Sequence, residues 1–276
     1  MKHLQFSARQ PGLTSTGLKL LALCFMLLDH IWEFFAFAGA PIWLHWLGRL
    51  SAPLFLFCTA EGFAHTHNRL RYIARIYLVS TAMALVSWGM ADFALLRSAD
   101  GFYPENGIFQ CFFWLCVQWQ GIDWLQNGKK LQGALLFLLP VLWTALAAAF
   151  LLPGRARGLV TAILPTIDSM PEGGGFFLIE GLLLYALRKN RLQQVICWVC
   201  AVLLMQLGWY GAQGYSMRYL LLDYAQWMSI LAAPAMLRYN GQRGKEIKWL
   251  FYFFYPAHIY ALYALSCIWM QSVQTE

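Results

Sequence analysis

Nine apolar runs, most of them close to twenty residues, recur along this chain, and that spacing leaves it few ways to fold. A run of ~20 apolar residues is long enough to cross the hydrocarbon of a bilayer as a helix. Inside lipid every backbone N–H and C=O must be satisfied within the protein, so only helices or a closed barrel can cross. Runs this long predict helices. Composition agrees: 60% of the 276 residues are hydrophobic and 12% charged, with mean hydropathy +0.52. A soluble domain is about 25% charged. The expected fold is therefore all-α, a single polytopic transmembrane helical bundle of about nine spans. They are read at 18–38, 45–64, 72–96, 107–126, 131–152, 173–187, 192–209, 219–237 and 249–269.

Basic residues orient this bundle, because cytoplasmic loops collect Lys and Arg. With the N-terminus cytoplasmic, one side gathers Lys2, Arg9, Lys19, Arg69, Arg71, Arg75, Lys129, Lys130, Arg188, Lys189, Arg191, Arg238, Arg243, Lys245 and Lys248. The other side receives Arg97, Arg155, Arg157 and Arg218, and Arg49 falls within a span. The net charge of +7 is then topological and calls for no nucleic-acid partner. The polar segment 1–17 lacks the apolar core and cleavage site of a signal peptide, so the first span reads as retained in the membrane.

Seven cysteines fall inside apolar runs and read as small packing residues; Cys197 and Cys200 have CxxC spacing but sit mid-helix without a second pair. Two outer connections, 97–106 and 153–172, are long enough to carry function. No internal repeat or second domain is evident.

The chemistry is concentrated between Leu18 and Arg75. An ionisable side chain at mid-bilayer costs roughly 2.5–3.5 kcal/mol on insertion scales, so such groups usually face a polar cavity. Asp29 and His30 lie about twelve residues into the first span, roughly 18 Å along a helix at ~1.5 Å per residue. Adjacent helical residues project ~100° apart, so these two cannot pair with each other. One is expected to face a cavity and the other to be held by a neighbouring helix. A neutral imidazole at that depth suits general-base work, against the plainer alternative of a buried histidine bonded to a carbonyl. Arg49 follows Gly48 near the outer end of the second span. It either snorkels to headgroups or clamps a developing oxyanion. Glu61 and His65 share a helix face at the inner end, but no metal-binding pattern completes them and no metal is expected. With His67, Arg69 and Arg71 they suggest a basic mouth that admits a phosphate-bearing molecule. His258 follows Pro256, which removes a backbone hydrogen bond and kinks the last span. Its depth matches that of His30, so a shared cavity is expected.

Taken in order, these stretches resemble the TraX family of membrane acetyltransferases. The matching residues are Leu18–His30 with Asp29-His30, then Gly48-Arg49 with Pro53-Leu-Phe55, and Glu61-Gly-Phe63. The basic segment to Tyr72 and Arg75, Pro104-Glu-Asn-Gly107, Tyr239–Gly244 and Phe251–His258 follow. The chain departs at Ser51-Ala52, where the family tends to carry an aromatic, and 154–172 matches nothing recognisable.

The resemblance implies acetyl transfer from cytoplasmic acetyl-CoA to an acceptor protein, peptide or glycan near the outer face of the bacterial inner membrane. In the pilin-modifying member that acceptor is an α-amino group. It implies that His30, with Asp29, Arg49 and His258, carries catalysis. Arg69, Arg71, Arg75, Arg243 and Lys245 would hold the coenzyme phosphates, and Glu61 and Asn106 would contact substrate. Two other readings stay open: a proton-coupled transporter or flippase using Asp29, His30 and Glu61, and an assembly subunit without turnover.

Overall fold

The computed structural model describes residues 12–93, 98, 101–105, 107–151, 153–170 and 174–274. Asn106 and Arg97 lie outside them. Helices follow one another from α1 (Ser15–Phe35), α2 (Trp43–Gly48), α3 (Ser51–Ala64) and α4 (Arg69–Phe93) to α5 (Ile108–Gln126) and α6 (Lys130–Phe150). Then come α7 (Arg155–Ile163), α8 (Gly174–Ala186), α9 (Arg191–Leu203), α10 (Tyr210–Ala212), α11 (Ala233–Leu237) and α12 (Lys248–Gln274). Among the described residues the only departure towards sheet is an isolated bridge between Leu13 and Tyr239.

Five stretches are long and apolar enough to cross a membrane: Ser15–Ala38, Arg69–Phe93, Lys130–Phe150, Arg191–Ala212 and Trp249–Ser272. The other expected spans are shorter, broken or less apolar. The second divides into α2 and α3 at Arg49–Leu50, with Pro53 in the first turn of α3 where a missing N–H costs nothing. The eighth is a π-helical stretch Tyr219–Asp223, a 3-10 stretch Gln226–Ala232 and the short α11. α5 owes its lower hydropathy to Gln110, Gln118 and Asp123, yet those three are buried with Cys111–Cys116 and Trp119. It is the enclosed helix of the bundle. α6 shows the opposite pattern, leaving Leu131, Leu135, Leu138, Leu142, Leu146 and Phe150 exposed, as a lipid-facing surface requires.

Residues 153–170 of the second outer connection are built into the fold. α7 packs against α4, where Gly158 sits close to Trp88 and Asp92. Beyond it, the carbonyls of Leu164 and Pro165 accept the indole N–H groups of Trp143 (3.0 Å) and Trp114 (2.8 Å). This segment therefore serves packing first.

The end of the bundle rich in Lys and Arg is tied down by its own cations. Asp123 on α5 is gripped by Arg69 and by Arg188 (3.1 Å), and accepts from Tyr185 Oη (2.8 Å). Glu61 on α3 pairs with Arg191 at 3.1 Å, and Arg191 lies 4.5 Å over the Phe57 ring. Between α11 and α12 the Arg238–Lys245 segment docks on the start of α1. Ser15 N–H reaches Gln242 O (2.8 Å) and Thr16 Oγ1 reaches Lys245 O (2.7 Å). Gly244, at φ +77°, passes so close that an added Cβ would lie 2.6 Å from Thr14 Oγ1.

Candidate functional site

α12 brings His258 against α1, with Nε2 of His258 2.9 Å from Nδ1 of His30. The Nδ1 of His258 lies 2.6 Å from the Phe254 carbonyl, an acceptor, so that nitrogen carries the proton. In a neutral pair Nε2 of His258 is then the acceptor and His30 Nδ1–H the donor. That leaves the lone pair of His30 on Nε2, 3.9 Å from Glu33 Oε2, where a base with a free lone pair is available. Phe34 stacks on the His30 ring at 6.1 Å and Tyr255 meets its edge at 6.5 Å.

Asp29 turns to different partners. Its Oδ1 takes Nδ1 of His45 at 2.9 Å, and its Oδ2 pairs with Arg49 Nη2. Arg49 Nη1 reaches on to Gln226 Oε1 at 2.9 Å, and Trp46 Nε1 reaches Leu222 O at 2.8 Å. These bonds tie α1, α2 and the 222–226 segment together. Gly48 permits the approach: a Cβ there would lie 2.3 Å from Asp29 Cβ. Arg49 thus faces the bundle and does not snorkel. Its Nε is buried with no partner among the described residues.

Two cavities meet at this place. One, of about 560 Å³, is lined by Asp29, His30, Glu33, Arg49, Glu105 and Gln206. The other, of about 500 Å³, is lined by Lys19, Glu61, His65, Arg75 and Arg243 with apolar walls that include Phe55 and Phe251. Met26, Ile108 and Tyr255 line both. Sharing that wall, they make a two-part hollow, with basic groups lining one part and His30, backed by His258, lining the other.

The expected coenzyme residues divide. Arg75 and Arg243 face the basic cavity, joined by Lys19. Arg69 is committed to Asp123, while Arg71 and Lys245 are exposed and do not line the cavity. Glu61 lines it while paired with Arg191, and His65 Nδ1 bonds the Glu61 carbonyl at 2.8 Å, so that pair is engaged in the fold.

The family model described as TraX protein matches residues 15–266. The chain belongs to the TraX family. It is also 27% identical, over 284 aligned residues and 96% of each chain, to the "Probable fimbrial assembly protein FimC, serogroup H1" of Dichelobacter nodosus. No solved structure matches. The stretches by which the sequence resembles TraX proteins surround the hollow: Asp29-His30, Gly48-Arg49, Glu61 and Pro256-Ala-His258 all contribute to it or brace it.

Four residues at the site of this TraX chain lie outside the expectations from its sequence. His45 stands four before Arg49 and Glu33 three after His30, spacings that share a helix face and were open to detection. Gln206 and Gln226 carry no such signal, because they lie in π-helical and 3-10 backbone whose periodicity differs from that of an α-helix.

Proposed function

We propose that this TraX protein transfers an acetyl group from acetyl-CoA, entering at the basic end, to an amine or hydroxyl bound in the histidine cavity. The observation that carries the reading is the pair of adjoining cavities with His30 beyond the shared Met26, Ile108 and Tyr255. In this account the bundle has nine spans in a bacterial inner membrane, with the N-terminus and the basic end cytoplasmic. Lys19, Arg75 and Arg243 draw the coenzyme phosphates. The pantetheine arm, some 15–20 Å long by extended-chain dimensions, runs along the apolar walls and carries the thioester to His30.

There His30 Nε2 accepts the proton of the attacking amine or hydroxyl as its N–C or O–C bond to the acyl carbon forms. Arg49 faces the resulting oxyanion, its Nε–H uncommitted and its side chain fixed by Asp29 and Gln226. The C–S bond then breaks and the thiolate takes up a proton. His258 holds the His30 tautomer, as a third group orients the base in other acyl-transfer sites. Glu33 and Glu105 give the cavity an acidic cast that favours a cationic, amine-bearing acceptor. The relative's name as a fimbrial assembly protein supports a fimbrial subunit as that acceptor.

Free thiol release from acetyl-CoA, measured with and without an amine-bearing peptide, tests the reading. Acceptor-dependent thiol release by the wild type and its loss in His30→Ala support it. A rival reading draws on the same joined cavities, which a proton-coupled transporter would also need; solute flux in proteoliposomes free of acetyl-CoA is its signature.

A further inference from the structure

One wall of the histidine cavity touches none of the reacting groups in the chemistry described above. Gln206, Tyr210, Tyr224 and Gln226 line it. Gln226 is spent on Arg49 at 2.9 Å, and Tyr224 Oη lies 3.4 Å from Tyr210 Oη. Gln206 is different. The residue is 5% exposed, and its side-chain oxygen is buried with no hydrogen-bond partner among the described residues. An unsatisfied buried carbonyl opposes folding, and an apolar side chain of the same shape would remove that penalty. The backbone around it is equally unfavoured, a six-residue π-helix from Leu204 to Trp209, a geometry that recurs at functional sites. Gln206 borders the cavity, and a half-turn of its amide, which exchanges oxygen and nitrogen, presents that carbonyl to an incoming donor.

We propose that Gln206 is an acceptor-binding residue whose side-chain carbonyl takes a hydrogen bond from an N–H or O–H beside the reacting group. This assignment rests on the transfer reading and adds to it the feature that the acceptor must present. An acceptor with a donor next to its amine is held, and one without it is discriminated against because the buried carbonyl stays unpaired. A peptide supplies its first backbone N–H, and an amino sugar supplies a neighbouring ring hydroxyl.

The test uses the full chain, purified in detergent, with saturating acetyl-CoA and two probes, tri-alanine with a free amine and glucosamine. For whichever probe is acetylated, Gln206→Leu is expected to raise the acceptor KM about tenfold, the worth of one hydrogen bond. Its kcat and acetyl-CoA KM should stay within about twofold of wild type, and its thermal midpoint should be unchanged or higher. Gln206→Glu keeps the accepting oxygens and should hold the acceptor KM near wild type. An unchanged acceptor KM in Gln206→Leu overturns the assignment while leaving acetyl transfer standing. So does a fall in thermal midpoint with kcat and both KM values moving together, since that marks a structural residue. No transfer from the wild type to either probe overturns the transfer reading and the assignment together.

Discussion

His30 and His258, separated by almost the whole chain, meet with their ring nitrogens 2.9 Å apart. Because the Phe254 carbonyl fixes the proton of His258 on Nδ1, the contact also fixes which nitrogen of His30 is free to act. In the proposed transfer this relationship makes His30 the base and His258 its holder. His30→Ala is expected to lower kcat by about 10²–10⁴, the usual contribution of a general base. His258→Phe should lower it less, since it removes the holder and leaves the base. Steady-state thiol release on both variants, each checked for correct membrane insertion, decides between these roles. Equal losses would mean that the two rings act as one unit.

The Asp29–Arg49 pair is partly buried and shared with His45, so its two halves should behave unequally when separated. Asp29→Asn leaves a guanidinium without its counter-charge and is expected to cost about 2–3 kcal/mol, less than a fully buried pair because solvent reaches both groups. Asp29→Asn combined with Arg49→Met should recover much of that stability, while both variants lose activity. Thermal unfolding of the single and double variants in one detergent measures the coupling. Strict additivity would contradict it.

Gly48 is a point of very close approach between α2 and α1. Gly48→Ala would place a methyl group on the Asp29 carboxylate, an overpacking cost of about 1–3 kcal/mol. The side chain that gives way belongs to the clamp, so activity should fall further than stability does. A variant that keeps wild-type turnover would show that the clamp tolerates displacement.

Cations at the basic end should separate by whether they line the cavity. Arg75→Ala and Arg243→Ala, both facing the cavity, are expected to raise the acetyl-CoA KM about tenfold each through a lost charge-assisted contact. Arg69→Ala should leave that KM alone and lower the thermal midpoint, because it strips Asp123 of a partner. Titrations of the donor against the three variants check the division.

The helical class, the positions of most helices and several residues of the hollow were legible in the sequence for a common reason. Long apolar runs declare helices, and a charge inside one declares that something polar faces it. Asp29, His30, Arg49 and His258 announced themselves in that way. The meeting of His30 with His258 was expected from their matched depth, whereas the pairing of Asp29 with Arg49 was not, because it depends on the break at Arg49–Leu50 that swings α2 onto α1. α5 read as an ordinary span, whereas its burial on all sides comes from neighbours that no local pattern encodes. Residues 153–170 read only as part of a long connection able to carry function, because the carbonyls that receive Trp114 and Trp143 are backbone groups, common to every sequence. The basic residues looked alike in sequence. Burial of Asp123 and Glu61 is what assigns Arg69 and Arg191 to the fold and leaves Arg75 and Arg243 at the cavity.

Sidedness tests the account most directly. Inside-out membrane vesicles carrying the protein, with an amine-bearing peptide sealed in the lumen, are given radiolabelled acetyl-CoA on the outside only. The account predicts labelled peptide in the lumen of wild-type vesicles and none with His30→Ala. Lumenal peptide that stays unlabelled while the wild-type protein is correctly inserted, or label that appears equally with His30→Ala, would contradict it.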